Sequence, residues 1–188
     1  MNKVRIATAW LSGCSGCHMS FLNIDEALME VASKVEFVRS PLVDAKEFRP
    51  CEVAIVEGAV SDTDNLETLK SLRANCKILV ALGDCAVFGG MTSMRNLFDA
   101  EDVLKRGYVE TETTKDGFVP VDPPVPRLLE QATPLSAHVK VDVNIPGCPP
   151  HPESILHVVT RLLEGKDPKL PRELLHFDSR IKVRSDGK

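Results

Sequence analysis

At 188 residues with 43% hydrophobic content, the chain is long enough for a single domain that buries roughly two-thirds of the surface its unfolded form exposes. Its formal net charge of -4 comes from interspersed acidic and basic residues, which leaves no electrostatic footprint for nucleic acid or an anionic membrane. No apolar run approaches the roughly 20 residues that span a bilayer, and Met1 leads straight into a strand-like segment without the pattern of a secretory leader, so the expected location is cytoplasmic.

Residues 4–9 read as a first buried strand, followed by a helix over 19–32 in which Phe21, Leu22, Leu28, Met29 and Ala32 recur near helical spacing. A short strand at 35–38 comes next. A further strand at 53–56 ends on Glu57-Gly58, a helix covers 66–73, and a strand runs over 77–82. From 88 to 137 the periodicity fails. This segment carries Gly89-Gly90, a charged stretch at 110–115 and the prolines Pro120, Pro123, Pro124 and Pro126, and it reads as a partner-docking surface with one short helix at 127–132. A strand at 139–145 and a helix at 153–163 close the domain. Strands alternating with helices imply a doubly wound parallel sheet, so the expected fold is α/β and flavodoxin-like, a single domain over 1–165 with a peripheral C-terminal arm at 166–188.

In a reducing compartment, six cysteines point to ligands, redox groups or small buried hydrophobes rather than a disulfide framework. Cys14 and Cys17 form a C-x-x-C after the first strand, Cys85 follows the strand at 77–82, and Cys148 follows the strand at 139–145. All four lie beyond the carboxyl ends of strands, the edge where open parallel sheets bind ligands. Cys51 and Cys76 precede their strands, which puts them at the opposite edge.

A solitary C-x-x-C fits a dithiol redox pair, half a metal site or chance. Gly13, Gly16, Gly83 and Gly147 shortly before the four cysteines favour a metal reading, because tight turns there aim backbone N–H groups at sulfur. Four thiolates suit tetrahedral zinc or an iron-sulfur cube, and a pair plus two distant singles fits a cluster better than zinc's usual two close pairs. A dithiol oxidoreductase leaves Cys85 and Cys148 without a role. A cofactor-free signalling module would need strand-end acids such as Glu57 and Asp84, and it leaves the cysteines unexplained. Glu57 itself reads as a support for neighbouring turns or a proton-handling group. His138, His157 and His176 read as surface or core-margin residues, His18 and His151 as near the cysteines without being ligands, and Cys51 and Cys76 as small hydrophobes.

Trp10-Leu11-Ser12-Gly13-Cys14-Ser15-Gly16-Cys17, Val56-Glu57-Gly58, Ala81-Leu82-Gly83-Asp84-Cys85 and Ile145-Pro146-Gly147-Cys148-Pro149-Pro150, in that order, resemble the small subunit of nickel-iron hydrogenases. The cluster-bearing subunit of complex I is similar, but typically carries adjacent cysteines where this chain has C-x-x-C. The resemblance implies that Cys14, Cys17, Cys85 and Cys148 hold one proximal 4Fe-4S cluster, next to a nickel-iron centre in a separate large subunit. No twin-arginine leader, no cysteine-bearing C-terminal region for further clusters and a short loop from Trp10 to Cys14 point to the cytoplasmic, NAD-reducing form. There the onward partners are diaphorase subunits with iron-sulfur clusters, FMN and an NAD site. FMN on this flavodoxin-like chain itself is a further candidate. The alternatives carried are a complex I-like NADH dehydrogenase subunit and a dithiol oxidoreductase.

Overall fold

Residues 3–175, except 46 and 122, are described by the structure, a computed structural model of the chain. The first strand, β1 (Val4–Trp10), is followed by two helices, α1 (Gly16–Leu22) and α2 (Ala27–Lys34), and by β2 (Val35–Arg39). The single helix expected over 19–32 is thus broken. Asp25 turns the chain at φ 54, and α1 and α2 pack as separate short pieces.

β3 (Cys51–Glu57) leads through Gly58 into a short strand, β4 (Val60–Asp62), then α3 (Thr63–Asn75) and β5 (Cys76–Leu82). Asp62 caps α3 by accepting a hydrogen bond from the Asn65 amide at 2.8 Å, which fixes where that helix starts. Cys51 and Cys76 therefore open their strands rather than precede them, and they are register partners at the amino edge.

Next come α4 (Gly83–Phe88), a 3-10 turn at Gly90–Leu97 and α5 (Ala100–Tyr108). β6 (Leu128–Thr133) stands where a short helix was expected. Its residues pair antiparallel with β4, from Val60–Thr133 to Asp62–Leu128, and this long-range ladder overrides the local helical pattern. The 88–137 segment thus carries elements over 90–97, 100–108, 128–133 and 135–137 that local periodicity does not register, while the described residues within 109–127 are irregular as expected.

β7 covers only Val143–Ile145, less than half of the strand expected over 139–145. Val139 and Val141 are apolar because they pack on the core from a loop, and that loop is held by Arg73, which reaches the Lys140 carbonyl at 3.1 Å and Asp142 at 2.5 Å. The last helix, α6 (Pro152–Leu163), receives residues 167–174 back along its side. Arg161 donates to the Asp167 carbonyl and Ser154 to the Leu174 carbonyl. His176 and the rest of the arm lie outside the described residues.

The main sheet runs β2-β1-β3-β5-β7 with every pairing parallel, the order of a flavodoxin-like sheet. One face carries Ala7, Ala54, Val56 and Leu79 under Leu69 and Leu72 of α3. The other carries Ile6, Val53, Ile55 and Val80 under Phe21, Val31 and Ile155. Burial on both faces explains why the central strands read as continuous apolar runs. Each fully buried leucine in these layers stabilises by roughly 2 kcal/mol.

The candidate cluster site at the carboxyl edge

In this strand order the chain leaves β1 in one direction and β3 in the other, and the crevice at that switch point is where such sheets hold ligands. The C-x-x-C loop enters it under tight constraint. Leu11 donates to the Glu57 carbonyl at 2.8 Å, and Ser12 exchanges bonds with Ala59 at 3.1 and 2.8 Å, so β1 and β3 remain tied past their ends. Ser15 then adopts φ 63, turning the chain into α1, and Cys17 falls in that helix's first turn. Cys85 sits in the first turn of α4, and Cys148 in the turn between β7 and α6.

Cys14 and Cys148 are exposed, while Cys17 and Cys85 are partly buried. Burial raises the Cys17 thiol well above the usual range, with further contributions from the charges of Glu57, Cys14, Cys85 and Cys148. Cys148 is raised too, first by burial and then by Cys85, Asp84 and Cys14. These four sulfurs thus share one electrostatic neighbourhood. Among the described residues no three His, Cys, Asp or Glu side chains stand close enough together for a single metal ion. A coordinated cation would draw the protons from thiols held up in this way.

Backbone approach makes the room. Gly83, at φ 85, stands where a methyl group would overlap the Cys17 sulfur. Gly147, at φ 137, would place a methyl 2.5 Å from Pro150 Cα, so the Cys148 turn closes only on glycine. A fit to a sulfur-ligated group follows from this donor set: four thiols, two of them on first helical turns whose backbone N–H groups lack helical partners.

Glu57 is 2% exposed and lies behind Cys17, accepting the His18 amide at 2.6 Å and so capping the start of α1. His18, expected near the cysteines without being a ligand, is equally buried. Its Nδ1 lies 2.9 Å from the same Glu57 oxygen, and neither ring nitrogen meets hydrogen-bond geometry with a partner among the described residues. Trp10 stands edge-on to it at 5.5 Å. Sequence reasoning missed two further ties. Ser20, buried in α1, donates to the Pro150 carbonyl at 2.5 Å, and Asp84 bonds both backbone groups of Gly147. An Asp in a Gly-Asp-Cys turn was the available signal for the second.

Cys51 and Cys76 stay apart from this group. Burial pushes Cys51 up to about 11, with Cys76 adding to it, as expected of a small buried hydrophobe. His151 is exposed and caps α6, accepting the Glu153 amide, and His138 contacts Thr133 at 2.7 Å.

Fold and site together define an α/β subunit with a thiol-lined ligand crevice at the sheet's switch point. The model of the family "NADH ubiquinone oxidoreductase, 20 Kd subunit" matches residues 14–162. The NAD-reducing hydrogenase HoxS subunit delta of Cupriavidus necator is 41% identical over 180 residues, 94% of this chain and 86% of that protein. A subunit of the vhu F420-non-reducing hydrogenase of Methanococcus voltae is 38% identical over 93% of this chain, which spans 61% of that longer protein. A chain in the crystal structure of an NAD+-reducing [NiFe]-hydrogenase in its H2-reduced state superposes with a TM-score of 0.92 at 43% identity, covering 94% of this chain and all of that one. The chain belongs to this family and, within it, to the small subunits of NAD-reducing nickel-iron hydrogenases. It is an electron-transfer subunit of an oxidoreductase complex, and no helix among its described residues is long and apolar enough to cross a membrane.

Proposed function

We propose that Cys14, Cys17, Cys85 and Cys148 hold one 4Fe-4S cluster, and that through it this chain relays electrons between a nickel-iron centre in a large subunit and a flavin diaphorase. The observation that carries the reading is the gathering of four thiols, from three separate stretches of chain, at the carboxyl edge of a parallel sheet. Bound there, a 4Fe-4S cluster supplies one-electron transfer. The protein's own residues set the conditions for it. Cys17 faces the core and Cys14 and Cys148 face outward, so the site is open on one side and a docked partner would exclude water from it.

Beside α4, Phe88, Met91, Met94, Leu97 and Phe98 are exposed, an apolar surface suited to that large subunit. Glu57, capping α1 behind Cys17, acts in this reading as a support. The crevice that would hold FMN in a flavodoxin-like sheet is the one the cysteine loops enter, so we assign it to the cluster and place FMN in the diaphorase. Acid release of flavin from this chain would overturn that placement. NAD, named for two of the relatives, favours a cytoplasmic location for the working complex. The complex I-like alternative shares the family model, and two NAD-reducing hydrogenases above 40% identity favour the hydrogenase reading.

The test is partner reconstitution. The two-subunit complex should reduce an artificial dye with hydrogen yet fail to reduce NAD until the diaphorase is added. Hydrogen-dependent dye reduction by this chain alone would contradict the relay assignment.

A further inference from the structure

We propose that Asp84 is a positioning residue for the cluster, clamping the Cys85 and Cys148 loops to each other and holding the cluster's reduction potential down with its carboxylate. The inference rests on the reading that those thiols bind a cluster.

Asp84 occupies the first turn of α4, immediately before Cys85. Its backbone N–H donates to the Gly147 carbonyl at 2.9 Å, and its Oδ1 accepts the Gly147 N–H at 2.7 Å. Both backbone groups of one residue are thereby satisfied by one partner across 63 positions of sequence, and each residue of the pair directly precedes a candidate ligand. No other bond described at the site joins two cysteine loops through a charged side chain. Glu57 and Ser20 tie the C-x-x-C helix to β3 and to Pro150, while Asp84 extends the tie between the Cys85 and Cys148 loops beyond the end of the β5–β7 ladder, where Leu82 pairs with Ile145.

The charge has a second consequence. The Asp84 side chain is borne by the residue before Cys85, and its Oδ1 is bonded to the residue before Cys148. When the site gains one electron, no covalent bond forms or breaks and no proton is needed, but its negative charge grows beside a fixed carboxylate. Coulomb repulsion between that carboxylate and the added charge then disfavours the reduced state. A bond-making role and a charge role can be separated, because Asp84→Asn keeps an oxygen for the Gly147 amide and removes only the charge, whereas Asp84→Ala removes the charge and the side-chain bond and leaves only the backbone N–H bond to the Gly147 carbonyl.

The experiment uses the complex with its large subunit, isolated anaerobically, and reads iron and labile sulfide, a mediated redox titration followed by electron paramagnetic resonance, and cluster loss to an iron chelator. Asp84→Asn should keep wild-type iron and shift the midpoint potential upward. Asp84→Ala should hold its iron against the chelator roughly ten- to a hundredfold less tightly, the range for removing an outer-shell partner. Glu52→Gln, at the opposite edge and engaged by Arg5, should change neither. Wild-type iron with an unmoved potential in Asp84→Asn overturns the charge role, and wild-type cluster retention in Asp84→Ala overturns the clamp. A wild-type complex without a cluster on this chain would instead sink the reading of the site, and the inference with it.

Discussion

Replacing Gly83 with alanine puts the site's packing to a direct trial. Gly83 opens α4 at φ 85, a backbone region that costs a side-chain-bearing residue roughly 1–2 kcal/mol. The new methyl also lands on the Cys17 sulfur, and overpacking of this kind adds roughly 1–3 kcal/mol. Together they amount to roughly 2–5 kcal/mol, which at about 2–4 °C per kcal/mol for a chain of this size lowers the melting temperature by on the order of 10 °C. The larger effect falls on the ligand. To escape the methyl, the thiol must shift by on the order of 1 Å, several times the tolerance of about 0.2 Å for a metal ligand. Iron per chain should therefore collapse even at temperatures where the fold survives. The assay is iron and sulfide content after anaerobic reconstitution, with thermal unfolding of the same samples by circular dichroism. Gly107→Ala serves as the control, since nothing lies within 4 Å of its added methyl and alanine is the better helix former. Full iron occupancy and an unshifted melt in Gly83→Ala would refute the placement of Cys17 against this turn.

Three further outcomes are expected. Cys51→Ala and Cys76→Ala should keep the cluster's resonance signal, with Cys51→Ala costing about 1 kcal/mol of stability for its buried sulfur; loss of the signal in either would put these thiols at the wrong edge. Glu57→Gln removes charge from a 2% exposed carboxylate that caps α1, and it should lower assembled cluster or hydrogen turnover; unchanged values for both would leave Glu57 a bland structural residue. Arg73→Ala strips donors from the Cys76, Lys77 and Lys140 carbonyls and from Asp142, and chemical denaturation should register a loss of about 2 kcal/mol.

Much of the sheet is legible in the sequence because its strands are short apolar runs bounded by turn residues, and Cys14, Cys17, Cys85 and Cys148 can be placed at one edge from strand direction alone. What escapes such reading is non-local. Leu128–Thr133 is a strand only because Val60–Asp62, far away in sequence, offers it a ladder. Val139 and Val141 mimic a strand because a loop can bury apolar side chains as well as a strand can. The burial of His18 has no local signal, since Trp10 and Glu57 close over it only in the folded chain. Asp84 and Gly147, like Ser20 and Pro150, meet only in three dimensions, so the ties between cysteine loops leave no trace in local spacing.

The central claim is most directly tested by counting iron and acid-labile sulfide on anaerobically isolated protein, beside variants in which Cys14, Cys17, Cys85 and Cys148 are changed singly to serine. Four irons and four sulfides per chain are expected in the wild type, with the reduced-state resonance signal altered or lost in each of the four variants. Stoichiometric zinc in place of iron, or a signal indifferent to all four substitutions, would contradict the account.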